Sequence, residues 1–284
     1  MNEVVYHYCS VDTFFNIIKN SSMWLSDISK SNDYQECVRC REFVNKGMKE
    51  YLRDDAEALK AWDTWYENGV HSNFLMKTFC ACFSESKDKL SQWRGYAQDG
   101  KGIAIGFDKE VLEEINQISE FHTAFGRVIY DNPQEYVRGI IADNIKKLKY
   151  KGVGHVALEL SENYRMQVPF VKNPGFKEEK EWRAVVCSQI GHYNIPSSEN
   201  ILFSKVKYRT ANNKLISYIE MNFERIKQRI IKEIFIGPKS EVEIEDIVNL
   251  LSFYGYYDGI EGGYNSQQPV AIKKSSTTYR CEMY

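Results

Sequence analysis

The chain contains no apolar run approaching the ~18 residues that a membrane span requires. Its mean hydropathy of −0.48 points the same way. Proline is scarce, at six in 284 residues, and no Pro-rich linker divides the sequence. No repeat of about 20–50 residues and no low-complexity tract is present, which excludes solenoids and propellers. Seven cysteines form an odd set without framework spacing, so a disulfide scaffold is excluded. The opening Met-Asn-Glu-Val-Val-Tyr-His-Tyr lacks both the basic and the apolar part of a signal peptide. Reduced thiols and a cytoplasmic location are therefore expected. Charge is balanced, 37 basic against 39 acidic residues for a net of −2. That balance excludes a dedicated nucleic-acid coat while permitting local basic patches. H-E-x-x-H and G-x-S-x-G are absent, so a metallohydrolase or a triad hydrolase has no basis here.

Aromatic residues are plentiful: 19 Tyr, 15 Phe and 5 Trp, or 14%. Such residues fill cores and line pockets for flat ligands. With no visible boundary, residues 1–284 read as a single domain. Strands are expected at 4–8, 23–25, 74–83, 102–107, 121–130, 182–189, 214–221, 233–236 and 270–273. Helices are expected at 11–19, 33–52, 55–68, 90–97, 109–118, 134–150, 153–166 and 242–254. The two helices at 134–166 read as an insertion on the sheet. Strands and helices mix without βαβ regularity, which predicts an α+β fold built on a twisted mixed sheet with surrounding helices.

Two motifs invite a functional reading and fail it. Gly95 to Gly102 nearly matches a phosphate-binding loop. However, Gly102 offers no hydroxyl for magnesium, and the loop leads into a strand instead of opening a helix. Cys37 and Cys40, with Cys80 and Cys82, count four thiols for zinc. The first pair falls in an expected helix, and the second shares one face of an expected strand, so no metal is expected. The basic runs Lys146–Lys151 and Arg225–Lys232 read first as solvated faces.

Three clusters set polar groups beside aromatics at strand ends: Tyr6-His7-Tyr8-Cys9-Ser10, then Phe83-Ser84-Glu85 with Ser91-Gln92-Trp93-Arg94-Gly95-Tyr96, then Phe176 to Arg183. Each alone is accounted for by a satisfied structural hydrogen bond. Together with Gly102–Phe107, Ile236-Gly237-Pro238-Lys239 and Tyr279-Arg280, they resemble a bacterial family catalogued as domain of unknown function 2971. More distantly, the order of histidine, Phe-Ser strand, aromatic and late glutamate is similar to the ADP-ribosyltransferase superfamily. That resemblance implies an ADP-ribosyltransferase-like fold and NAD as substrate. It maps the first-motif histidine to His7 and the second-motif serine to Ser84. The aromatic on nicotinamide falls on Tyr96 or Trp93, and the catalytic glutamate on Glu181, with Glu179 the other candidate of the pair. Arg94 or Arg183 would meet the pyrophosphate.

On that mapping the chain transfers ADP-ribose to a macromolecular acceptor, protein or nucleic acid, or hydrolyses NAD. The resemblance further implies a toxin or phage-defence role with an antitoxin or effector partner. The rival expectation is a non-catalytic module in which His7, Trp93 and Glu181 tie strands together and basic helices contact a nucleic acid or a partner protein.

Overall fold

Ser10 opens the first helix as its residue type predicts, its hydroxyl accepting from the Thr13 amide at 3.1 Å. That helix, α1 (Val11–Asn20), turns Phe14, Ile17 and Ile18 to the interior at helical spacing. It joins β1 (Val4–Cys9) to β2 (Ser22–Asp27). The chain continues through α2 (Tyr34–Leu52), α3 (Ala56–Ser72), β3 (Met76–Ser84), α4 (Leu90–Tyr96), β4 (Ile103–Asp108) and α5 (Lys109–Ile118). Next come β5 (His122–Arg127), α6 (Pro133–Lys151), β6 (Glu181–Gln189), β7 (Lys207–Ala211) and β8 (Lys214–Asn222). It ends with β9 (Ile231–Ile236), α7 (Ile244–Phe253) and β10 (Ala271–Lys274). The computed structural model describes residues 4–30, 34–72, 76–118, 122–153, 155, 159–160, 165–189, 202–211, 213–256 and 270–279.

The strands form one ten-stranded sheet in the order β10-β9-β4-β1-β3-β2-β8-β7, with β6 and β5 branching from β3. Among the described strands β10 and β9 are the one parallel pair, which makes the sheet mixed, as the α+β reading expects. β7 escapes the sequence reading, and the second half of the expected 134–166 insertion falls mostly outside the described residues. Among the described residues no helix is long and apolar enough to cross a membrane.

The branch point positions the site. β1 and β2 share one edge of β3: β2 takes Phe79 and Cys80, and β1 takes Ser84 through Tyr6. β6 pairs along the other edge from Met76 to Ser84. One face of the sheet carries Val5, Cys9, Phe79, Ala81 and Phe83 and is covered by α1, α5 and α7 in the main core. On the other face Tyr6 and Tyr8 pack with Trp93, Ala97 and Phe235. A separate apolar cluster joins α2, α3 and α6 with Val168 and Val171.

The loop resembling a phosphate cradle has a packing role. A β-carbon on Gly102 would lie 2.1 Å from the Cys9 carbonyl oxygen, so only glycine lets α4 return this closely to β1. Gly100 holds φ +90 and packs against Pro238 and Tyr279. The loop then enters β4, as the sequence indicates.

Candidate functional site

Strand register brings distant motifs into one transverse row. Tyr6 lies opposite Ser84, and Ser84 lies opposite Glu181. Side chains alternate along a strand, so Tyr6, Tyr8, Cys80, Cys82, Ser84, Glu181 and Arg183 share a face. Just before β6 the chain makes a tight helical turn over Pro174–Glu179. Asn173 caps it by accepting from the Gly175 amide at 2.9 Å, and Lys180 closes it in the left-handed region with φ 47. The Ser84 hydroxyl donates to the Glu179 carbonyl at 2.6 Å, and the Lys89 ammonium donates to the Glu178 carbonyl at 2.6 Å. This turn is thereby fastened to the end of β3, and Glu179 is set beside Glu181.

The two glutamates have different surroundings. Glu181 is 4% exposed. Its carboxylate accepts from Arg183 Nε at 2.8 Å, Arg183 Nη2 at 3.1 Å and Lys172 Nζ at 3.0 Å. Arg183 Nη1 also donates to the Pro169 carbonyl at 2.5 Å. The Glu181 amide donates to the Tyr130 hydroxyl at 3.0 Å. Glu179 is only partly buried. It accepts from Lys172 Nζ at 2.5 Å and from the Tyr96 hydroxyl at 2.8 Å. Lys172 thus bridges both carboxylates.

Burial pushes the Glu181 carboxyl up, but the adjoining Arg183 and Lys172 charges hold it below its ordinary value. Burial pulls Lys172 down, and the two glutamates more than reverse that. The Cys82 thiol is raised by its hydrogen bond with Cys80 and then by burial, although solvent reaches its surface. The Cys80 and Cys82 sulfurs are 3.8 Å apart. Among the described residues no group of three or more His, Cys, Asp or Glu is placed to hold a metal. Cys37 and Cys40 fall in α2, and their side chains lie outside the described residues.

Tyr96 is 49% exposed and Phe176 44% exposed. Both touch the Lys172–Glu179 pair: Tyr96 through its hydroxyl, and Phe176 with its ring centroid 4.7 Å from the Lys172 ammonium. They offer aromatic surface at the solvent edge of the glutamates.

Of the residues singled out in the sequence, Glu179, Glu181, Tyr96, Ser84 and Arg183 converge here. Three do not. Trp93 is fully buried, its indole N–H bonded to Asp88 at 2.7 Å and its ring edge-on to Tyr8 at 4.8 Å. It therefore presents no face to a ligand, which leaves Tyr96 as the aromatic of that pair. His7 stands on the opposite face of β1, beside Phe83 at 6.0 Å, because alternation separates it from Tyr6 and Tyr8. Its Nδ1–H donates to the Cys82 carbonyl at 2.9 Å. Burial keeps the imidazole below its ordinary value against the pull of that bond. Arg94 is exposed, with Asp99 as its acidic neighbour at 4.0 Å.

Lys172, Tyr130 and Phe176 were missed as site residues. Lys172 had a signal: it is a lysine placed directly after the apolar Val168-Pro-Phe-Val171 run, where a buried cation needs a carboxylate partner.

Residues 92–184 match a family model described as a protein of unknown function (DUF2971). That stretch carries Tyr96, Lys172, Glu179, Glu181 and Arg183, whereas Tyr6, His7 and Ser84 precede it. No curated protein and no solved structure matches the chain.

Proposed function

We propose that the chain cleaves NAD at the nicotinamide–ribose bond, as an ADP-ribosyltransferase or an NAD glycohydrolase. The observation that supports this reading is the convergence of Ser84, Glu179, Glu181 and Tyr96 on one sheet face, from motifs far apart in sequence. Glu179, rather than Glu181, is the carboxylate that meets the ribose. Its side chain is the less buried of the two, 12% exposed against 6%, and it lacks the Arg183 pairing that holds Glu181.

When the bond breaks, its electron pair leaves with the nicotinamide nitrogen and neutralises the pyridinium. The anomeric carbon becomes cationic, and water or an acceptor nucleophile then attacks it and loses a proton. A carboxylate beside the ribose stabilises that cation, as in glycoside cleavage. Glu179 supplies it, and Tyr96 or Phe176 supplies a ring face for nicotinamide. Glu181 is a positioning residue that fixes Lys172, and Ser84 fixes the turn bearing Glu179. Arg183 is committed to Glu181, and Arg94 stands apart from the glutamates, so pyrophosphate contacts fall to neither.

A second reading has its own support. The group Lys172, Arg183, Glu179 and Glu181 is internally neutral and every member is partnered, as in a strand-tying scaffold. Nicotinamide release from NAD by the purified chain, run with and without cell lysate as a source of acceptors, separates the two. Release in either arm supports cleavage. No release in both, with no NAD binding by calorimetry, leaves the scaffold.

A further inference from the structure

The sheet edge made by β2, β8 and β7 carries a second group of side chains that NAD cleavage does not use. Register places Trp24 opposite Glu220, Ser26 opposite Tyr218, Tyr218 opposite Lys207 and Ile216 opposite Arg209. Alternation then sets Trp24, Tyr218, Lys207, Arg209 and Lys214 on one face. Trp24 is 41% exposed. Its ring lies 4.7 Å from that of Tyr218 at a tilt of 39°, with the Arg209 guanidinium 5.4 Å from its centroid. Arg209 Nη2 donates to the Ser26 hydroxyl at 3.3 Å, while its buried Nε has no acceptor. On this face the described residues of the three strands hold one carboxylate, Glu220, which Lys207 meets at 2.6 Å.

An exposed indole and an excess of cations suit a ligand that has flat rings and many anionic oxygens. Single-stranded nucleic acid has both, whereas a duplex hides its base faces in the stack. We infer that this face docks single-stranded nucleic acid, with bases stacking on Trp24 and phosphates meeting Lys207, Arg209 and Lys214. Ser26 pairs with Cys80, and Cys80 with Val185, so the face runs on to the strand bearing Glu181. At about 4.8 Å per strand, Tyr218 and Cys80 are roughly 10 Å apart. The docking surface stands whether or not NAD is cleaved.

Fluorescence anisotropy of the full chain with labelled 12-mers of oligothymidine and oligouridine tests it, against a 12-base-pair duplex. Single strands are expected to bind at low salt, with the duplex at least tenfold weaker. Trp24→Ala, checked for folding by circular dichroism, is expected to weaken binding by about tenfold or more, and Trp24→Phe to restore most of it. Lys207→Gln is expected to reduce the slope of log affinity against log salt by about 0.7. The proposal is overturned by no single-strand binding, by a preference for duplex, or by full affinity in a Trp24→Ala, Arg209→Gln double variant. The first of these outcomes would leave the face to a protein partner.

Discussion

Glu179 and Glu181 are two residues apart yet are expected to behave differently when neutralised. Glu181→Gln strips charge from a carboxylate held by buried Arg183 and Lys172; Lys172 keeps Glu179, while Arg183 loses the charge of its paired carboxylate. The expected cost is about 3 kcal/mol, read as a lower urea midpoint with an unchanged slope. Glu179→Gln keeps an acceptor for Tyr96 and leaves Lys172 its bond to Glu181, so its expected cost is smaller, about 2 kcal/mol. Tyr96→Phe keeps the ring and loses the bond to Glu179, so nicotinamide release should fall less than in Tyr96→Ala. Glu179, Glu181 and Tyr96 are singled out in the sequence by the resemblance, and strand and helix patterns only put them at element ends. That reading puts Glu181 first; the preference for Glu179 comes from Arg183, whose pairing with Glu181 is a product of tertiary packing that the sequence does not display.

The short elements around α4 owe their positions to two close contacts. Asp88 gathers the Trp93 indole N–H, the Ser275 hydroxyl, the Ser276 amide and hydroxyl, and the Thr277 hydroxyl, clasping the segment after β10 to the start of α4. Burial opposes its charge, but these donors bring its carboxyl down to about 2 from an ordinary 3.8. A depressed acid stabilises the folded chain above its unfolded value, and that contribution disappears as pH falls from about 4 towards 2. Urea unfolding between pH 5 and 2 should therefore show a shallower acid limb for Asp88→Asn than for the wild type. The second contact is at Gly102, where a methyl group would strike the Cys9 carbonyl. Gly102→Ala is expected to cost about 3 kcal/mol and to loosen α4 from β1, measurable as a lowered melting temperature. The glycine-bounded β4 was legible because its run Ile103 to Phe107 is wholly apolar. β7 was not, because an edge strand reading Lys-Tyr-Arg-Thr-Ala has no buried face to impose alternation.

Across the whole molecule, the α+β class followed from the mixture of helical and alternating patterns, but the branching of the sheet did not. Nothing local tells β1 and β2 to share one edge of β3, and nothing local tells β6 to take the other. Those pairings join residues 75 or more positions apart in the case of Tyr6 and Ser84, and of Ser84 and Glu181. They form the row on which the functional reading stands. They also account for His7: one step of strand alternation sends it away from the glutamates to bond the Cys82 carbonyl. The decisive comparison is the initial rate of nicotinamide release from NAD by the wild type and by Glu179→Gln, lysate included, with the melting temperature of each protein recorded beside it. The expected result is release by the wild type and a loss of about 100-fold or more in a variant that remains folded. Undiminished release by a folded Glu179→Gln protein would contradict the assignment of Glu179 as the reacting carboxylate.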